Sequence, residues 1–494
     1  MSGEIHWMSA LELIDAYRSK KLSPVEVTTA VLDRIEAVNP KINAIVTLTA
    51  DLAMDSARAS EKAYMDGTAA AIEGVPITIK DLIVTKGIRT TCGSLLFADH
   101  VPDVDAVLVE RIRQAGGVIL GKTNVPEFGL VAVTDNSVFG PTLNPWDLAK
   151  TVGGSSGGAA GGVVAGFGPL AVGNDGGGSI RVPCSLCGTF GLKPHFARVP
   201  SWPHLIHGWE TMNHEGPITR TVGDAALLLD VMAGPDDRDR LSLPASGIDW
   251  SSAHQGGIEG LKVAYTSDLA AGAVDPEVAR VTREAALAFA DLGCEVVEED
   301  PGIFDMSGDL TIMVIEEAAA AQADRLEEAK EKMYPLYRPF LDMAPVFPAV
   351  DFVKVLYHRE DLWDILRPFF EKYDLLLTPT TACRVRPQGR RDARARLNRR
   401  QRGLAGLLGS VHLPVQLHRA AGGLSPVRVH RDRVAGRAAG CRTSLRRADS
   451  AQGRGGVREG EALGRQAPGA VDGTGEPQES NPYRKFTRMP CKTF

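Results

Sequence analysis

Three polar residues stand where apolar or purely structural ones would be ordinary. Lys80 interrupts the run GVPITIKDLIV (74–84), and Ser155 and Ser179 lie in glycine-dense loops, GGSSGG (153–158) and DGGGSIR (175–181). A serine hydroxyl attacks a carbonyl only when something takes its proton, and no histidine lies between residues 153 and 183. A lysine withdrawn from water supplies such a base, because desolvation disfavours the ammonium form. Left exposed at a strand end, Lys80 is an ordinary surface charge. Successive glycines at 176–178 let backbone N–H groups converge on one point, an arrangement suited to an oxyanion. The plainer reading of that loop is a tight turn capping a helix.

Other motifs carry less chemistry. Gly116–Thr123 matches GxxxxGK[ST], but a phosphate loop must follow a strand and open a helix. Here a helix comes first and GVIL reads as the strand itself, so nucleotide binding is not expected. Cys184 and Cys187 form a CxxC without the second pair that zinc needs, which predicts a buried structural pair. Gly153–Gly157 also fits G-x-S-x-G, an elbow joining strand to helix. The preceding NPWDLAKT does not read as a strand, and the histidines at 195, 204, 207 and 214 come early for that enzyme class.

The elements that must position these residues alternate. Ser9…Glu12 and Ser23-Pro24…Glu26 are helix-start capping boxes, and the second helix is expected to stop near Asn39-Pro40. GVPITIKDLIV reads as a strand, AVLVERIRQAG as a helix and GVILGKTN as a strand. GLKVAYTSD, a helix capped by Asp275-Pro276 and CEVVEED continue the alternation after a linker-like stretch at 233–247. That order argues for an α/β architecture. The chain has 494 residues, 44% of them hydrophobic, with a formal net charge of −6. No apolar run approaches the ~18 residues of a membrane span, and the N-terminus lacks a signal-peptide pattern. Seven scattered cysteines predict a reducing cytoplasm.

Together these residues resemble the amidase signature family. GVPITIKD, GKTNVPEFG, NPWD, GGSSGG, GGGSIRVP and CGTFGLKP occur in the family's order over roughly residues 5–382. The resemblance implies one large α/β domain with a mixed, twisted central sheet covered by helices on both faces. It also implies amide hydrolysis by a Ser–cis-Ser–Lys triad, with no metal and no other cofactor. Family catalytic serines stand twenty-four apart, which is the spacing of Ser155 to Ser179 and excludes Ser156. Carried over, Ser179 is the nucleophile, Ser155 the bridging serine entered by a cis peptide, and Lys80 the base. Backbone N–H groups of Gly176, Gly177, Gly178 and Ser179 form the oxyanion hole, with Ser156, Asp175 and Arg181 in support. The chain departs from the family at Gly176, usually bulkier, and at Asn174, usually Thr.

The implied substrate is a small-molecule carboxylic amide cleaved to carboxylate and ammonia or amine, with no nucleic-acid or membrane partner. A homodimer is the assembly that many members adopt. The alternatives are the amidase subunit of a tRNA-dependent glutamine amidotransferase, or a catalytically impaired binding protein. The expected organisation is an N-terminal helical region (1–65), a signature core (66–382, with a helical and βαβ portion from about 233) and an aberrant tail (383–494).

That tail breaks the texture of the chain. From Arg384 to Pro482 there is no Lys, Ile, Phe, Tyr or Trp, while twenty arginines occur. As a basic tail it reads as disordered or as a nucleic-acid arm. The family segment resembling PFNxTGxPAxSxPxGxxxxGLPxGLQ is missing. Yet VHLPVQLHR (411–419) can be encoded so that reading one base later yields FTYPFNFTG. Residues 420–440 then yield QPAAS and PCGFTATGLPVGLQ. The expectation is that residues from about 384 onward are an out-of-frame translation of an amidase C-terminus, poorly ordered as written.

Overall fold

The computed structural model describes residues 5–205, 211–269, 272–383 and 424–427. Two serines open its helices. Ser9 and Ser23 accept the N–H of the residue three positions on, while Glu12 and Glu26 reach back to the cap N–H. These boxes start α1 (Ala10–Arg18) and α2 (Pro24–Ile42) and satisfy donors that a helix start leaves unpaired. The expected stop at Asn39-Pro40 is corrected: Pro40 stays inside α2, which ends at Asn43 in the left-handed region (φ 53°). Asn39 stabilises this longer end, its Oδ1 accepting the N–H groups of Ala44 and Ile45 at 2.9 Å each.

There follow β1 (Ile45–Leu48), α3 (Ala50–Asp66), β2 (Pro76–Lys80), α4 (Val107–Gln114), β3 (Val118–Thr123), β4 (Leu143–Asn144) and β5 (Asp147–Thr151). Next come α5 (Gly157–Val164), β6 (Leu170–Asn174), α6 (Arg181–Cys187), β7 (Phe190–Gly191), β8 (Glu215–Thr219) and α7 (Val222–Met232). The central sheet has the order β1-β3-β2-β6-β8-β7. Strands β3, β2 and β6 run parallel, while β1 is antiparallel to β3 and β8 antiparallel to β6 and β7. Strands β2 and β3 are buried along their whole length, as parallel strands covered on both faces are. One apolar cluster joins Leu13 and Ile35 of the N-terminal helices to Ile77, Ile79 and Leu120 of the sheet.

Residues 233–249 contain no regular element. Beyond it lie α8 (Trp250–Ala253), β9 (Lys262–Tyr265), α9 (Pro276–Asp291), β10 (Glu295–Glu298), α10 (Ser307–Ala320), α11 (Leu326–Lys332), α12 (Arg338–Met343), α13 (Ala349–Lys372), β11 (Leu375–Pro379) and β12 (Leu424–Val427). They build a second sheet in the order β10-β9-β11-β12. The α9 start is capped by the Asp275 carboxylate, as its sequence predicts. Of the Arg-rich tail only β12, antiparallel to β11, is described; the expectation for the rest lies outside the described residues.

NPWDLAKT is corrected from non-strand to strand, since Asp147–Thr151 is β5 and pairs with β4. Asn144 Oδ1 accepts the Trp146 N–H at 3.0 Å, so turn chemistry holds a strand whose residues 147–149 are exposed. No apolar alternation marks such a strand. Gly121, Lys122 and Thr123 lie inside β3, so the GxxxxGK[ST] match spans a strand and forms no phosphate loop. Cys184 and Cys187 are buried free thiols on α6. Among the described residues no helix is long and apolar enough to cross a membrane.

Candidate active site

Strand β2 carries Lys80 at its carboxyl end, fully buried. Its Nζ lies 2.8 Å from Ser155 Oγ and 3.1 Å from the Asn174 carbonyl oxygen at the end of β6. Burial drives the Lys80 pKa down to about 7, while the carboxylates of Glu215 and then Asp175 resist the fall. A buried amine at this value is largely neutral just above neutral pH and can accept a proton.

Ser155 sits between β5 and α5, and the Gly154–Ser155 peptide bond is cis. Glycine is demanded there by close approach: a Cβ on Gly154 would stand 2.8 Å from the Val133 backbone nitrogen. On Gly158 it would stand 2.3 Å from that of Asn124. Thr134 holds the turn from outside, its N–H and hydroxyl both donating to the Gly153 carbonyl. Ser156 ties the two glycine-rich loops together. Its hydroxyl donates to Asn174 O at 3.2 Å and its N–H to Ser179 O at 3.0 Å.

Asp175 organises the second loop. Its carboxylate accepts the Gly178 N–H (2.7 Å), the Ile180 N–H (3.0 Å) and both arms of the Arg181 guanidinium (2.8 Å each). Burial alone would raise this carboxyl, but Arg181, Lys193 and the Gly178 N–H hold it well below the usual carboxylate range. The oxyanion expectation is therefore corrected at one position. The Gly178 N–H is directed to Asp175, and a donor engaged by a buried carboxylate is not free to meet an oxyanion. The N–H groups of Gly176, Gly177 and Ser179 have no hydrogen-bond partner among the described residues. Ser179 itself is partly exposed, and no hydrogen bond links its hydroxyl to that of Ser155. The two serines are joined through Ser156 rather than directly.

Two groups escaped the sequence reading. The side chain of Lys122, also fully buried, donates to Ile83 O, Thr85 Oγ1 (2.8 Å) and Thr90 Oγ1 (3.0 Å), clamping the segment that follows Lys80. The sequence flagged this lysine only within the GxxxxGK[ST] match and the GKTNVPEFG motif, neither of which pointed to a buried clamp. Glu215, buried at the start of β8, is the register partner of Asn174. Its Oε1 accepts from Asn213 at 2.8 Å and from Ser201 at 3.3 Å. No local pattern in NHEGPIT announces it.

The Amidase family matches residues 26–402. This chain belongs to the amidase signature family. The amidase is 40% identical over 386 residues to an acylamidase of Rhodococcus erythropolis, covering 78% of this chain and 81% of that protein. It is 43% identical over 295 residues to a glutamyl-tRNA(Gln) amidotransferase subunit of Moorella thermoacetica, covering 59% of this chain and 60% of that one. Among solved structures, a bacterial aryl acylamidase of the same family superposes with a TM-score of 0.73 at 35% identity, covering 78% of this amidase and 82% of that chain. The enzyme is an amidohydrolase with a mixed six-stranded central sheet.

Proposed function

We propose that this amidase hydrolyses a small-molecule carboxylic amide through an acyl-enzyme on Ser179. The observation that carries the reading is a fully buried lysine amine 2.8 Å from the Ser155 hydroxyl. Neutral Lys80 takes the Ser155 proton while Ser155 takes that of Ser179, whose oxygen bonds to the substrate carbonyl carbon. Negative charge moves to the carbonyl oxygen, where the N–H groups of Gly176, Gly177 and Ser179 stabilise it. When the C–N bond breaks, Lys80 returns a proton through Ser155 to the leaving nitrogen. Water, deprotonated along the same path, then cleaves the ester and frees Ser179. Ser179→Ala should lower kcat/KM for acyl amides by about 10⁴-fold or more. Near-normal turnover by that variant, measured as ammonia or amine release, removes Ser179 from the role. The acylamidase alignment, longer than that to the amidotransferase subunit, favours a free-standing amidase.

We also infer that the text from about residue 384 is an out-of-frame translation. Its support is the recovery of FTYPFNFTG, QPAAS and PCGFTATGLPVGLQ by one consistent single-base shift over about thirty residues of the sequence. Resequencing the gene tests this directly. An uninterrupted frame for the Arg-rich text refutes it, whereas a single-base discrepancy near codon 384 supports it.

A further inference from the structure

Beside the Lys80 end of the triad is a cleft whose lining, among the described residues, carries two carboxylates, Glu215 and Glu317, and no Lys or Arg. Leu82 and Phe128 line it. A Cβ on Gly129 would lie 2.9 Å from Leu82 Cδ1 and 3.2 Å from Ser155 Oγ, so Leu82 brings the cleft lining within about one side chain of the Ser155 hydroxyl. Asn174, whose carbonyl accepts from Lys80, and Trp202 also line it. Glu215 is 6% exposed, and while Ser201 and Asn213 hold Oε1, Oε2 is buried with no hydrogen-bond partner among the described residues. A buried acceptor left unpaired is costly unless a ligand donor meets it. Glu215 shares this lining with Phe128 and Trp202, and since Arg238 already stands 4.8 Å from the Trp202 ring centroid, the attraction for a further cation rests on the carboxylate.

We propose that Glu215 is a specificity-determining residue that receives a protonated amine at the far end of the amide substrate. This rests on the amidase reading above and narrows it to amides bearing an ammonium group on a short apolar spacer. The charged and titratable groups at this end are Lys80, Asp175 with Arg181 and Lys193, and His214, with His204 and Glu317 on the same cleft lining and Arg238 over Trp202. His214 is held neutral by burial, its pKa lowered to about 3. Burial raises Glu215 to about 7, against the pull of Asn213 and Lys80. Above pH 7 Glu215 is therefore anionic while Lys80 is largely neutral, so the site attracts a cation under the conditions in which the base works.

The test is equilibrium binding to the full-length Ser179→Ala chain, by calorimetry, of 5-aminopentanamide and of its near-isostere hexanamide. At pH 8 the ammonium ligand should bind at least about tenfold tighter. That ratio should collapse toward one in Ser179→Ala/Glu215→Gln, and also in the Ser179→Ala chain below pH 6. Equal or weaker binding of the ammonium ligand, failure of both ligands to bind, or a ratio unmoved by Glu215→Gln overturns the proposal. If the Gln variant does not fold, the pH arm decides, and a ratio flat from pH 6 to 8 is fatal. Turnover of either amide by Ser179→Ala would instead count against the nucleophile assignment, leaving the binding ratio to judge Glu215.

Discussion

Two lysines on adjacent strands illustrate how similar chemistry is put to different uses. Lys80 ends β2 and Lys122 lies in β3, with Ile79 paired to Lys122 and Lys80 to Thr123. Because side chains alternate along a strand, this one-residue offset sends the two amines to opposite faces of the sheet. Both are fully buried, and burial lowers both pKa values, to about 7 for Lys80 and about 8 for Lys122. Desolvation alone therefore does not distinguish base from scaffold. What distinguishes them is the company each keeps. The Lys122 amine is saturated by one carbonyl and two threonine hydroxyls and lies in the field of Asp81. The Lys80 amine meets one carbonyl and a serine hydroxyl that can surrender a proton.

Substitutions at the two positions should break apart in kind. Lys80→Ala should cost about 10³-fold or more in kcat/KM, with the melting temperature little changed or raised because a buried amine is removed. Comparable activity in that variant would make Lys80 a second scaffold lysine. Lys122→Met should do the reverse, losing about 3 kcal/mol of stability by stripping Ile83 O and the Thr85 and Thr90 hydroxyls of their buried donor and weakening the positive field on Asp81, read from denaturant unfolding. The folded fraction should keep activity within a few fold.

The pH profile separates the pair more finely. Protonated Lys80 cannot act as a base, so kcat/KM should rise tenfold per pH unit below about 7 and level off above it, following the Lys80 pKa. Lys122→Met should leave that limb in place. A limb that moves with Lys122 would mean the scaffold lysine tunes the base. Smaller again, Thr85→Val should cost about 1 kcal/mol through one lost hydrogen bond to Lys122. Its kcat/KM should stay close to that of the parent chain. Smallest of all, Cys184 and Cys187 should resist thiol reagents in the native state, since burial pushes Cys184 up to about 12. Rapid labelling would show that α6 opens.

Much of the molecule was legible before any coordinates. Capping boxes at Ser9 and Ser23 marked helix starts because the signal is local, four residues satisfying each other. The twenty-four-residue spacing of Ser155 and Ser179, the close-approach glycines and the lysine inside an apolar strand carried the rest of the candidate site. Less legible was whatever depended on a particular turn rather than on an apolar period. Pro40 remains helical because Asn39 secures the turn after it, and β5 exists because a turn, not a buried face, holds it. The sequence alone determined which residue types could supply a nucleophile, a relay and a base, since their chemistry and spacing are local properties. Only the tertiary structure decided which buried lysine meets Ser155, that Gly178 serves Asp175, and that Glu215 stands beside the cleft. The first and last follow from strand register, which brings together residues such as Lys80 and Asn174, 94 positions apart, and leaves no periodic trace in the chain, while the Gly178–Asp175 contact is set by the conformation of the loop itself.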